Sequence, residues 1–214
     1  MKHKQNLHTH TTYADGIDTP EQMVQYALAK GFDALGFSEH SYMFFSPDWS
    51  MKEEDASTYK QEIQSLKQKY AQQLSIYTGL EVDMYSQVDL SGYDYLIGSC
   101  HYFKFGNTYV GFDRTANECQ RIIDTYFDGN GLAFAKEYYR QLSSLYEYGD
   151  FDIIGHFDLL TKFNEQQPDL FDTACSEYRA AATRAAEALV GKVKYFEVNT
   201  GAISRGYRTT PYPD

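Results

Sequence analysis

"NLHTHTTYADG", residues 6–16, opens the chain with two histidines one residue apart and an Asp-Gly pair behind them. Residues 4–8 read as a strand. On an extended strand, residues two apart point the same way. His8 and His10 therefore share a face, and Thr9 is turned from it. Asp15 returns after a turn that Gly16 helps to make. Imidazole nitrogen and carboxylate oxygen are the usual ligands of zinc, manganese and iron, so this stretch reads as the start of a metal site.

Outward from it, short apolar runs alternate with amphipathic ones. Residues 20–30 read as a helix, with Thr19 as N-cap, Pro20 at the first helical position and Gly31 as the stop. Strands are expected at 34–38, 74–81, 95–100, 151–155 and 193–199. Helices are expected at 53–73, 116–127, 131–148 and 173–190. Strand alternating with helix in this way predicts a parallel sheet with helices outside it. No linker, repeat or second domain is visible, so residues 1–214 read as one domain.

The chain has six histidines. His3 lies at the start. The other five fall at or just past the carboxyl ends of expected strands: His8 and His10, His40 in SEH, His101 in GSCHY and His156 in IIGHFD. The third strand ends in Glu81, within GLEVD. In a β/α barrel that end carries the active site, and side chains from separate strands converge there. Cys100 alternates with His101 and faces away from it. One HxH alone is a weak signal, whereas the whole series points to metal.

Composition narrows the rest. Hydrophobic residues make up 43% of the 214, and the formal net charge is −11. That balance disfavours a nucleic-acid partner, which draws on clustered Lys and Arg. No run approaches the roughly 20 apolar residues of a membrane span, and the N-terminus lacks the apolar stretch of a signal peptide. A cytoplasmic protein without nucleic-acid or membrane partners is expected. The three scattered cysteines suggest neither a disulfide framework nor a zinc ribbon.

These residues resemble the PHP family, named for its polymerase and histidinol-phosphatase members. HTHTTYADG looks like its first motif, SEH its second, GLE with GSCHY its third, and IIGHFD a further signature. EVNTGAISRGYRTTPYP looks most like the stand-alone histidinol-phosphatases. The resemblance implies an α/β fold, a distorted (β/α)7 TIM-like barrel, with two to three divalent ions (Zn, Mn or Fe). It implies that His8, His10 and Glu81 bind a first ion. Glu81 would bridge to a second, held also by His101 and His156, while Asp15 and His40 hold a third. Glu39 is expected to orient an imidazole.

The family's closing strand carries an Asp-x-His motif, which residues 1–214 do not contain. The expectation is therefore a domain incomplete at its C-terminus, lacking its last strand and helix. A natural short form is the alternative. An open sheet edge would allow pairing with another chain.

The implied activity is hydrolysis of a phosphomonoester: L-histidinol phosphate to L-histidinol and phosphate, in histidine biosynthesis, through a metal-bridged hydroxide. Lys162 and Arg205 are candidates to seat the phosphate, with Arg208 as a weaker one. Asn199 is a candidate to bind substrate or support Arg205. Tyr42, Phe44 and Phe45 are the candidates for an aromatic wall. Two other readings remain: a PHP phosphoesterase acting on another small phosphate or nucleotide, and a non-catalytic metal-binding module.

Overall fold

The computed structural model describes residues 3–213. They form two compact units, divided between Ile97 and Gly98. The α/β class expected from the alternating pattern is what both units show.

In the first unit, β1 (Gln5–Asn6), β2 (Ala34–His40) and β3 (Ser75–Asp83) are parallel neighbours. Helices α1 (Pro20–Ala29) and α2 (Ala56–Lys69) make the crossovers. The start of α1 follows the local chemistry. Thr19 and Gln22 form a reciprocal capping box, Pro20 sits at its start, and Gly31 takes φ +67° just after its end. Val24, Phe37, Tyr59, Ile63 and Leu80 are buried here.

The register of β2 on β3 pairs His40 with Glu81. Side chains alternate along a strand, so Gly36, Ser38 and His40 share a face, as do Gly79, Glu81 and Asp83. Strand β4 (Tyr95–Ser99) begins in this unit. The Tyr95 ring fills the room left at both glycines: a Cβ at Gly36 or Gly79 would overlap it. Its hydroxyl donates to the Leu7 carbonyl and, at 3.3 Å, to the Phe37 carbonyl. Tyr95 thereby ties the segment carrying His8 to β2 and β3.

The second unit holds a hairpin, β5 (Tyr102–Phe105) and β6 (Thr108–Gly111), which the alternating pattern did not anticipate. Gly106 at φ +61° and Asn107 form its two-residue turn. Helices α3 (Ala116–Tyr126) and α4 (Gly131–Ser143) follow, then a short parallel pair, β7 (Ile153–Ile154) with β8 (Tyr195–Phe196), separated by α5 (Ser176–Leu189). A final turn of helix, α6, covers Gly201–Ser204. The core is aromatic. Phe103 lies 5.3 Å from Phe112, 4.7 Å from Phe134 and 5.5 Å from Phe127, ring centre to ring centre. Tyr195 and Val198 are 66% and 72% exposed.

Several boundaries differ from the expected ones. The first strand is two residues long, so His8 and His10 lie on the loop after it. By contrast β2 runs on to His40 and β3 to Asp83, which places His40 and Glu81 inside strands. The helix expected from residue 131 ends at Ser143 and continues as a 3-10 turn over Leu145–Glu147.

Candidate metal centre

In the first unit, three imidazoles converge on one carboxylate oxygen. Glu81 Oε2 lies 3.2 Å from His8 Nε2, 3.2 Å from His10 Nε2 and 2.8 Å from His40 Nδ1. Asp15 Oδ1 meets His10 Nδ1 at 2.7 Å and stands 3.8 Å from His40 Nε2. The structure thus brings together His8, His10, Asp15, His40 and Glu81. Each arrives from a different local cause. His40 and Glu81 are partners in register. Leu7, whose carbonyl accepts from Tyr95, carries His8 next to it. Asp15 is delivered by a tight turn, in which Ala14 N and Gly16 N both donate to the Thr11 carbonyl at 3.0 Å. A Cβ at Gly16 would collide with the His10 backbone. Thr9, as expected, points elsewhere and donates to the Gly36 carbonyl at 2.7 Å.

The cluster favours positive charge. Burial by itself pulls the His10 imidazole pKa down. The hydrogen bonds of Asp15 and Glu81, with the Glu81 charge, more than reverse that and hold it at about 9. A site that keeps a proton on a buried imidazole offers the same electrostatics to a divalent cation, which displaces that proton on binding. His10, His40 and Glu81 can each turn one donor atom to a common point, with all three atoms within 4.8 Å of one another. The donor set, imidazole nitrogen with carboxylate oxygen, suits zinc, manganese and iron. The residues present fit the ions implied for the fold.

Glu39 behaves differently from expectation. It is fully buried and accepts from Thr11, at 2.9 Å from the backbone N and 2.7 Å from Oγ1. Burial pushes its carboxyl above the usual range, while the two Thr11 hydrogen bonds pull the other way. It anchors the loop that carries His10, rather than an imidazole ring.

In the second unit, the rings of His101 and His156 lie 5.0 Å apart, and both residues are buried. The hairpin leaves His101 and comes back to it, since Phe112 N donates to the His101 carbonyl at 3.4 Å. That return delivers Asp113, a residue the motifs did not flag. Lys162 donates to the Asp113 carbonyl at 2.6 Å and to its carboxylate at 3.1 Å. Burial raises the Asp113 carboxyl pKa, but the charges of Lys162 and His101 outweigh it, and the net shift is downward.

Asn199 is engaged on both sides of its amide. It donates to Glu197 at 3.0 Å and accepts from Gly201 N at 2.8 Å. Glu197 in turn accepts from the His156 backbone N at 2.8 Å. Glu197 was also missed, although in EVN it stands two residues from Asn199 and so shares its face. Arg205 is exposed at the end of α6. The buried guanidinium of this segment belongs to Arg208. It donates to Thr161 Oγ1 and, at 3.0 Å, to Thr210 Oγ1, and lies 4.7 Å from the Tyr212 ring centre.

Of the aromatic candidates, Phe44 is 51% exposed and packs on Phe45. Trp49, which the motifs did not flag, lies against the cluster, 4.4 Å from His40. Among the described residues no helix is long and apolar enough to cross a membrane.

This fold has known counterparts. The PHP domain family model matches residues 6–201, and the chain belongs to that family. It is 31% identical to a probable histidinol-phosphatase of Deinococcus radiodurans over 76% of this chain. That match spans 63% of the relative's own length. It is 29% identical to the histidinol-phosphatase of Bacillus subtilis, over 95% of this chain and 83% of that protein. Among solved structures, the putative histidinol phosphatase of Listeria monocytogenes superposes with a TM-score of 0.80 at 22% identity, over 98% of this chain and 87% of that one. The Lactococcus lactis histidinol phosphate phosphatase, complexed with zinc, L-histidinol and phosphate, gives 0.69 at 24%, over 92% and 73%.

Proposed function

We propose that this chain is a metal-dependent phosphomonoester hydrolase acting on L-histidinol phosphate, releasing L-histidinol and phosphate. The observation that carries the proposal is the convergence of three imidazoles on one buried carboxylate oxygen of Glu81. The relatives' names point the same way.

The proposed ligands of two to three divalent ions are His8, His10, Asp15, His40, Glu81, His101 and His156. Such ions supply Lewis acidity toward phosphate oxygens and acidify water for attack on phosphorus. The chain's own residues do the rest. Glu39 and Thr11 hold the His10 loop. Asp113 takes two of the three N–H bonds of Lys162 and aims the third, with its charge, for a phosphate oxygen. Asn199 and Glu197 brace the His156 backbone, and Arg205 is a further candidate to bind phosphate from the loop that follows. A cytoplasmic setting belongs to the proposal and suits three cysteines without a disulfide.

The test is a hydrolysis assay on chelator-stripped and metal-restored protein. The panel should hold L-histidinol phosphate, other small phosphomonoesters and nucleotides. Restored turnover selective for L-histidinol phosphate is expected. Turnover of a nucleotide with none of L-histidinol phosphate would reassign the substrate, and metal-independent turnover would overturn the mechanism.

A further inference from the structure

Residues 41–51 leave His40 and return to it. Met51 N donates to the His40 carbonyl at 2.9 Å, closing the excursion on the same residue from which it starts. Inside it, Ser46 N donates to the Met43 carbonyl at 3.0 Å and Met43 N to Ser50 Oγ at 3.4 Å. The short 3-10 turn Pro47–Trp49 brings the chain's single tryptophan back over the start. Its ring meets His40 edge to face, 4.4 Å between centres at 85°. Its Nε1–H is anchored on Ser46 Oγ at 2.9 Å.

We propose that Trp49 is a positioning residue for His40, clamping the imidazole plane so that its nitrogens stay turned to the cation site. The inference rests on the metal-binding part of the proposed function and not on the substrate. His40 Nδ1 faces Glu81 at 2.8 Å and Nε2 faces Asp15 at 3.8 Å. A half-turn of the ring would put Cδ2 and Cε1 in their places and turn both nitrogens away from the carboxylates. An indole at right angles obstructs that rotation. The clamp therefore acts through the right-angle packing of the two rings, which turning either one would break.

The experiment uses the full chain, stripped of metal and titrated with Co2+ in competition with a chromophoric chelator. Indole emission is recorded in parallel; with one tryptophan, it comes only from Trp49. In the wild type, emission should fall saturably as Co2+ binds, and His40→Ala should abolish that fall. Trp49→Leu should weaken one ion by about 10- to 100-fold, the range seen when a group orienting a ligand is lost. Trp49→Phe, which keeps a ring face, should stay within about threefold of wild type. Ser46→Ala frees the indole without removing it and should fall in between, which keeps the test decisive if Trp49→Leu does not fold. Wild-type Co2+ affinity in Trp49→Leu overturns the proposal, as does wild-type affinity in Ser46→Ala should Trp49→Leu not fold. Indole emission indifferent to bound Co2+ overturns it too. None of these readouts uses the substrate, so the clamp can fail while hydrolysis stands, or hold if L-histidinol phosphate is not turned over.

Discussion

Thr11→Val isolates the support beneath the candidate site. The change keeps the β-branched shape and removes one hydroxyl. That hydroxyl donates to Glu39 Oε1 at 2.7 Å, and both residues are fully buried. The backbone bond from Thr11 N to Glu39 Oε2 survives. The weaker contact from Tyr13 N, at 3.3 Å, adds little. What is lost is one short hydrogen bond to a buried carboxyl, about 1.5–3 kcal/mol. At roughly 2–4 °C per kcal/mol for a chain of this size, a loss near 2 kcal/mol lowers the melting midpoint by about 4–8 °C. Trp49 lies in the same compact unit, so its emission reports on this unit's unfolding. The control is Thr12→Val, next door but exposed, which should cost no more than about 0.5 kcal/mol. A Thr11→Val midpoint within about 1 °C of wild type, or equal to that of Thr12→Val, would refute the anchoring role given to Glu39.

Other consequences are equally direct. Gly79→Ala should destabilise by about 1–3 kcal/mol in urea unfolding, because its methyl enters the Tyr95 ring, and Tyr95→Ala in the same chain should recover part of that loss. Lys162→Met should raise KM for the phosphate ester by about tenfold or more, a loss of about 1.4 kcal/mol or more of charge-assisted binding. Arg205→Met, at an exposed position, should raise it less, and the reverse order in steady-state kinetics would contradict the phosphate-binding role proposed for Lys162. Asp113→Asn, which keeps the backbone acceptor of Lys162 and changes only its side-chain partner, should raise KM less than Lys162→Met while leaving metal content unchanged by elemental analysis.

The residues that converge were legible because imidazole is rare and strands have a period of two. His8, His10 and Glu81 could be read off their strand-end positions, and Asp15 off the glycine turn. The register that sets His40 beside Glu81 could not, because nothing local fixes which residues of two parallel strands are opposed. Glu39 was misread for a reason within reach. It alternates with His40 and so points away from the imidazole face, the same argument that set Cys100 apart from His101. The hairpin over residues 102–111 had a signal, Gly-Asn between two aromatic-rich runs. Asp113 and Trp49 gave none, since each reaches its site only through closure of a loop on its own starting residue. Arg205 and Arg208 are three residues apart at a helix end, and sequence carries no rule for which of them is buried.

The central claim is that imidazoles distant in the sequence gather around shared cations. Elemental analysis of the purified chain, before and after dialysis against a chelator and again after adding back Zn2+ or Mn2+, tests it most directly. The account predicts two to three ions per wild-type chain, removable and restorable, and a lower number in Glu81→Ala, which takes away the oxygen that three imidazoles face. A wild-type chain that retains none of these ions, or a Glu81→Ala chain that retains them all, would contradict it.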